Sequence, residues 1–295
     1  MKRLEDICRK IAKLNLWKEV VRYNWAVKPS DTVFPYFCSI LGDGSLPVLY
    51  RFLMLEGWQT FHDFLHTRAD NNFGFYSSPM EFSHFEAIIL PGDEVRIYRH
   101  DPGYAPQVIK GSQLELCRKI LWESYGIMMR IESDNNLPMK FADSKSMFAR
   151  IESLDGSWKD APLEIPRPRD HVEEISFPKE VASKAKDLPF ASEKTWDLSF
   201  GMLPTIITNE PRPRCVYELS VKDGTEIVLN ERFTLVPEMG LKGLWQNLAP
   251  RLMKLFVERG VVPGIVRVRT GREFRMLRPI CMELPIKLQL DSING

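Results

Sequence analysis

Two histidines carry the first hint of chemistry. His62 and His66 stand four positions apart in His62-Asp63-Phe64-Leu65-His66. On a helix that spacing turns both imidazoles to one side, where they can share an ion. The string differs from the zinc-binding HExxH pattern by an aspartate in place of the glutamate. Aspartate is one methylene shorter and would hold a zinc-bound water less well. His84 and Glu86 are the candidates for a third ligand, provided that the fold brings them alongside. Against a metal, Phe61, Phe64 and Leu65 claim the core-facing side of the same helix.

An arginine run is the second candidate. Arg267, Arg269, Arg272, Arg275 and Arg278 fall within twelve residues. On a strand, Arg267 and Arg269 share the face opposite Val266 and Val268. On a following helix, Arg272, Arg275 and Arg278 recur every third position and drift slowly round one side. Gly271, at the start of that helix, adds backbone donors for an anion. Arg267, Arg269, Arg272 and Arg275 are therefore the expected binding residues, with an acidic protein or nucleic acid as the partner. The competing expectation is a solvated face paired with Glu273, Glu283 and other acids.

The elements that must position these groups fall into two sets. Leu4, Ile7, Cys8, Ile11 and Leu14 recur at helical spacing. Strand-like runs follow at 36–41 and 48–55, then a helix through Trp58, Phe61 and Leu65. Runs at 85–90 and 95–98 flank Pro91-Gly92-Asp93 and read as a hairpin. Ser112 is the expected cap of a helix through Leu114, Leu116, Cys117, Ile120 and Leu121. From about 160 to 190, Pro162, Pro166, Pro168, Pro178 and Pro189 lie among charges. Proline denies such a stretch its ladder donors, so it reads as a linker with one short helix near 181–186.

The last third has a clearer order. A strand at 196–202 precedes a hairpin centred on Asp223-Gly224. A helix from Leu241 to Phe256 carries Pro250, where a kink or break is expected. Strands at 265–268 and 286–290 then flank a crossover. The resulting β-β-β-α-β-α-β order is shared with the ribonuclease H-like fold. Nucleases of that kind gather several carboxylates around two metal ions. Here Glu218, Asp223 and Asp291 are available, but the strand at 265–268 ends in Arg269-Thr270, so the set looks incomplete.

Composition bounds the rest. The 295 residues suit one large or two ordinary domains. Forty Lys and Arg against 39 Asp and Glu leave a net charge of +1, so no global field draws the chain to nucleic acid or an anionic membrane. No apolar run is long enough to span a bilayer. No apolar run of signal-peptide length follows MKRLEDICRK, so no secretion signal is expected. The five cysteines, Cys8, Cys38, Cys117, Cys215 and Cys281, are scattered and odd in number. Reduced thiols in a cytoplasmic protein are expected. With no GxGxxG, GxxxxGK[ST] or GxSxG string, no cofactor and no catalytic residue is assigned.

Several short strings resemble a two-domain bacterial family of unknown function. In the N-terminal half these are Leu16-Trp17, Glu56-Gly57 and Pro102-Gly103-Tyr104-Ala105-Pro106. In the C-terminal half they are Trp196-Asp197, Leu203-Pro204, Arg212-Pro213 and Pro263-Gly264-Ile265-Val266-Arg267-Val268-Arg269. The chain departs from that family at Ser220, where an Asp is common, and at Gln107, where a Trp is common. The resemblance implies a two-domain layout and no activity.

The expectation is an α+β protein of two mixed α/β domains, 1–158 and 190–295, joined by a proline-rich linker at 159–189. Its expected function is non-enzymatic binding through an anion-binding Arg-rich surface. The alternative is a metal-dependent hydrolase or nuclease with a ribonuclease H-like C-terminal domain.

Overall fold

A computed structural model describes residues 2–14, 24–41, 50–69, 83–90, 94–141, 143, 145–166, 177–209, 211–235 and 240–291. The protein is mixed α+β with two separate sheets. The chain divides into two compact units. The first comprises Met1–Leu65, Phe82–Asp101 and Pro106–Arg169, and the second His66–Glu81, Pro102–Ala105 and Asp170–Gly295. No helix among the described residues is long and apolar enough to cross a membrane.

The first unit contains α1 (Lys2–Lys13), β1 (Trp25–Lys28), β2 (Tyr36–Leu41), β3 (Tyr50–Glu56), α2 (Gly57–Ala69, as far as Leu65), β4 (His84–Leu90), β5 (Glu94–His100), β6 (Gln107–Val108), α3 (Ser112–Ser133), β7 (Ser146–Glu152) and β8 (Trp158–Glu164). The strands form one sheet in the order β6-β5-β4-β3-β2-β1-β7-β8. Only the β1–β7 pairing is parallel. Side chains alternate across a strand. One face sends Trp25, Tyr36, Cys38, Phe52, Met54 and Phe85 into a core with Leu4 and Ile7 of α1 and Ile120 and Leu121 of α3. The other face carries Phe37, Ser39, Leu53, Leu55, His84 and Glu86. There Phe61 of α2 stacks on Phe37 with ring centroids 4.6 Å apart. A sheet covered on both faces reads as a continuous apolar run, which is the pattern of Tyr36–Leu41.

Two local expectations change. Residues 158–164, placed at the mouth of the linker by their prolines and charges, form β8 instead. Pro162 is accommodated because β8 is the sheet's outer strand, where a missing N–H costs no ladder bond. β1 carries no usable sequence signal because four residues are too few to show a period.

The second unit contains α4 (Lys179–Lys186), β9 (Phe190–Ile207), β10 (Arg214–Asp223), β11 (Glu226–Thr234), α5 (Gly240–Arg259), β12 (Val262–Val268), α6 (Gly271–Leu277), α7 (Ile280–Glu283) and β13 (Lys287–Leu290). Its sheet runs β11-β10-β9-β12-β13. β10 is antiparallel to both its neighbours, and β12 is parallel to β9 and β13. Trp196, Leu198, Tyr217 and Leu219 pack with Trp245, Leu248, Leu252 and Phe256 of α5. α5 continues through Pro250 without a break. The neighbours of Pro250, namely Leu248, Ala249, Leu252 and Met253, are all buried, and this packing outweighs the lost helix bond. The hairpin loop is Gly224-Thr225, one residue later than expected, because Asp223 pairs with Glu226.

The Pro-Gly-Tyr-Ala-Pro string has a structural role. Residues 102–105 belong to the second unit. Cys215 N donates to Gly103 O and Ala105 N donates to Pro213 O, each at 3.0 Å. Gly103 has φ 80°, and a Cβ there would lie 1.9 Å from Leu235 Cδ2. Only glycine suits that backbone at that distance. The Arg212 guanidinium lies 3.9 Å from the centre of the Tyr104 ring.

Candidate metal centre

β3, β4 and β5 form an antiparallel meander whose register assembles a polar cluster. His84 and Glu86 are two apart on β4 and share a face. His84 lies directly opposite His100 of β5, and Glu86 lies opposite Leu53 of β3. Arg51, two residues before Leu53, reaches Glu86 from the same face. The donor atoms of His84, Glu86 and His100 all lie within 4.8 Å of one another. The three residues are 0%, 1% and 3% exposed.

The electrostatics centre on Glu86. Burial alone would push its carboxyl up. The close approach of His100 and the charge of Arg51 outweigh that, and its pKa falls to about 2. Glu86 is therefore an anion at neutral pH, and its ion pair with Arg51 runs from the guanidinium Nε to Oε1. His100 Nε2 approaches Oε2 at 2.7 Å. The approach is close but misaligned, and neither ring nitrogen of His100 has a hydrogen-bond partner among the described residues. Ser39 Oγ, on the same face, is likewise buried without one. The rings of His84 and His100 stack, with centroids 4.4 Å apart and planes 10° from parallel.

Unbonded buried polar atoms cost about 1–3 kcal/mol each, and an ion that takes their lone pairs removes the cost. Two imidazoles and one carboxylate are a donor set for Zn²⁺ and its first-row neighbours rather than for Mg²⁺ or Ca²⁺. A tetrahedral ion with bonds of ~2.1 Å holds its ligand atoms roughly 3.4 Å apart. The widest separation would have to close by about an ångström and the 2.7 Å contact between His100 and Glu86 would have to open, with one ring turning out of the stack.

The histidines that the sequence singled out lie elsewhere. His62 stands on α2, with Nε2 3.1 Å from Pro166 O and its ring stacked on Trp58. His66 is on the same helix, and its side chain lies outside the described residues. His84 and Glu86, the prospective third ligands, come together with His100, which sequence reasoning missed. The signal was present in the hairpin: counting outward from the Leu90–Glu94 pair aligns His84 with His100.

The arginines of the run have separate surroundings. Arg267 forms a two-pronged pair with Asp197 of β9, with contacts of 2.6 and 2.8 Å. Arg272 lies over the Trp245 ring at 4.3 Å. Arg269, Arg275 and Arg278 are exposed. The first turn of α6 supplies an acceptor: Glu273 takes bonds from Phe200 N of β9 and from Arg269 N and Thr270 N just before the helix, at 2.6, 2.8 and 2.9 Å. That buried carboxylate already takes the backbone donors of Arg269 and Thr270, next to the expected anion site at Gly271. Among the nuclease-type acids, Glu218 faces Arg232 at 3.6 Å, and Asp223 binds Lys194 at 2.8 Å. Asp291 is exposed after β13.

No family model, curated protein or solved structure matches the chain.

Proposed function

We propose that this protein binds one divalent first-row transition ion, with Zn²⁺ as the type case, through His84, Glu86 and His100. The observation that carries the reading is the convergence of three buried donors, with His100 Nδ1 lacking a hydrogen bond and Nε2 meeting Glu86 only in a misaligned contact. The depth of the site favours a structural or sensing ion. Three protein donors leave a fourth position open, as catalytic zinc requires, but here burial closes that position to a substrate. The role is therefore non-enzymatic binding. A cytoplasmic setting suits it, because none of the described cysteines, Cys8, Cys38, Cys117, Cys215 and Cys281, forms a disulfide. On the second sheet, Glu218 and Asp223, two of the acids that nuclease chemistry would need around a metal ion, already face the cations of Arg232 and Lys194. This too favours binding over hydrolysis.

The test is stoichiometry. Protein stripped with chelator and dialysed against Zn²⁺ or Co²⁺ should retain one equivalent by elemental analysis, with Co²⁺ giving the visible absorption of a low-coordinate site. The His84→Ala/His100→Ala double variant should retain none. Equal retention by both proteins refutes the assignment.

A further inference from the structure

The metal reading leaves one residue unexplained. Arg51 holds Glu86 although its charge opposes any cation beside it. Both carboxylate oxygens are engaged, Oε1 by Arg51 and Oε2 by His100. A dication and a guanidinium on one carboxylate repel in a buried site, so each weakens the other's hold on Glu86. Arg51 is also the member of the cluster nearest to solvent: its side chain is 15% exposed, against 1% for Glu86 and 4% for His100. Its long stem lets the guanidinium swing out while the histidines stay on the sheet.

Building on that reading, we infer that Arg51 is a resident cation that the metal must displace. In the ion-free protein the guanidinium neutralises Glu86 and keeps the sheet face folded. On metal binding it leaves for solvent, and the carboxylate passes from one cation to another. The cluster has two occupancy states, and Arg51 sets how much free metal is needed to move between them. Affinity is tuned downward by this competition, which suits an ion that exchanges.

Two measurements test the exchange. Chelator competition with Zn²⁺ should give Arg51→Met at least tenfold tighter binding than the unaltered chain, and Arg51→Met/Glu86→Gln should lose that gain. Equal or weaker binding by a folded Arg51→Met protein overturns the inference and leaves the metal site standing. Arg51→Met can misfold by stranding the Glu86 charge, so the second measurement uses the unaltered chain. In ¹⁵N-labelled protein the Arg51 Nε–H signal should be protected without metal and lost to solvent exchange at one equivalent of Zn²⁺. Its persistence at saturation also overturns the inference. If the unaltered chain takes up no more Zn²⁺ than His84→Ala/His100→Ala, the metal reading itself fails and the exchange falls with it.

Discussion

The charge on Glu86 is held in place by its neighbours, and this gives the metal-free protein a pH signature. The carboxyl of Glu86 has an ordinary value of 4.5 and falls to about 2 in the fold. A depressed acid contributes stability that is complete above its unfolded value and lost as pH drops toward its folded one. The window therefore runs from about pH 4.5 down to about 2, and the contribution is on the order of 3 kcal/mol. Urea midpoints of the metal-free protein should fall with acid over this range, and more gently for Glu86→Gln. Parallel curves would mean that Glu86 is not held ionised by Arg51 and His100. At this scale the sequence showed the residue types but not their grouping. His62 and His66 drew attention because their spacing is local. The clustered pair, His84 and His100, is made by a hairpin register, and Arg51 joins through the β3–β4 pairing across more than thirty positions. Such a pairing is fixed by which faces are buried and leaves no short motif.

Elements were legible in proportion to the length of their pattern. β2 spans Tyr36–Leu41 as its apolar run indicates, and α1 and α5 follow their helical spacing. α6 is different: at seven residues it is too short to hold by propensity alone. Thr270 caps it, and Glu273 returns the bond to Thr270 N. The same carboxylate reaches Phe200 N on β9, so one side chain ties the crossover to the middle of the sheet. Burial pushes the Glu273 carboxyl up, and the backbone donors only partly offset this. Glu273→Gln would turn an amide donor toward backbone N–H groups. We expect a loss of about 2–3 kcal/mol in urea unfolding, the cost of bonds to a charged acceptor replaced by a mismatch. A change under about 0.5 kcal/mol would show that α6 is held by packing alone. Thr270 followed three residues later by Glu273 is visible as a capping signature, but its reach to β9 depends on the parallel β9–β12 pairing.

For the molecule as a whole, sequence position and spatial membership part company at residues 102–105. Composition suggests one cut, in the proline-rich stretch, and the sheets do separate on either side of 167–176. The Pro-Gly-Tyr-Ala segment nevertheless belongs to the second unit, although its chain neighbours on both sides belong to the first. A chain that crosses in this way makes a non-local prediction. Gly103→Ala introduces a Cβ toward Leu235 at a backbone angle that side chains resist. The strain costs about 1–3 kcal/mol. It should appear in hydrogen exchange as lost protection at the Cys215 amide, which donates to Gly103 O, and along β10. Amides of β1, β2 and β7 should keep their rates, because those strands lie in the other sheet. If protection falls in the first sheet while Cys215 is unmoved, the segment belongs with its sequence neighbours. The second core would then be closed by residues of the C-terminal half alone. The reverse result makes residues 102–105 an integral part of β10's environment, so a C-terminal fragment cut at the proline-rich stretch would lack two backbone bonds that the intact chain supplies.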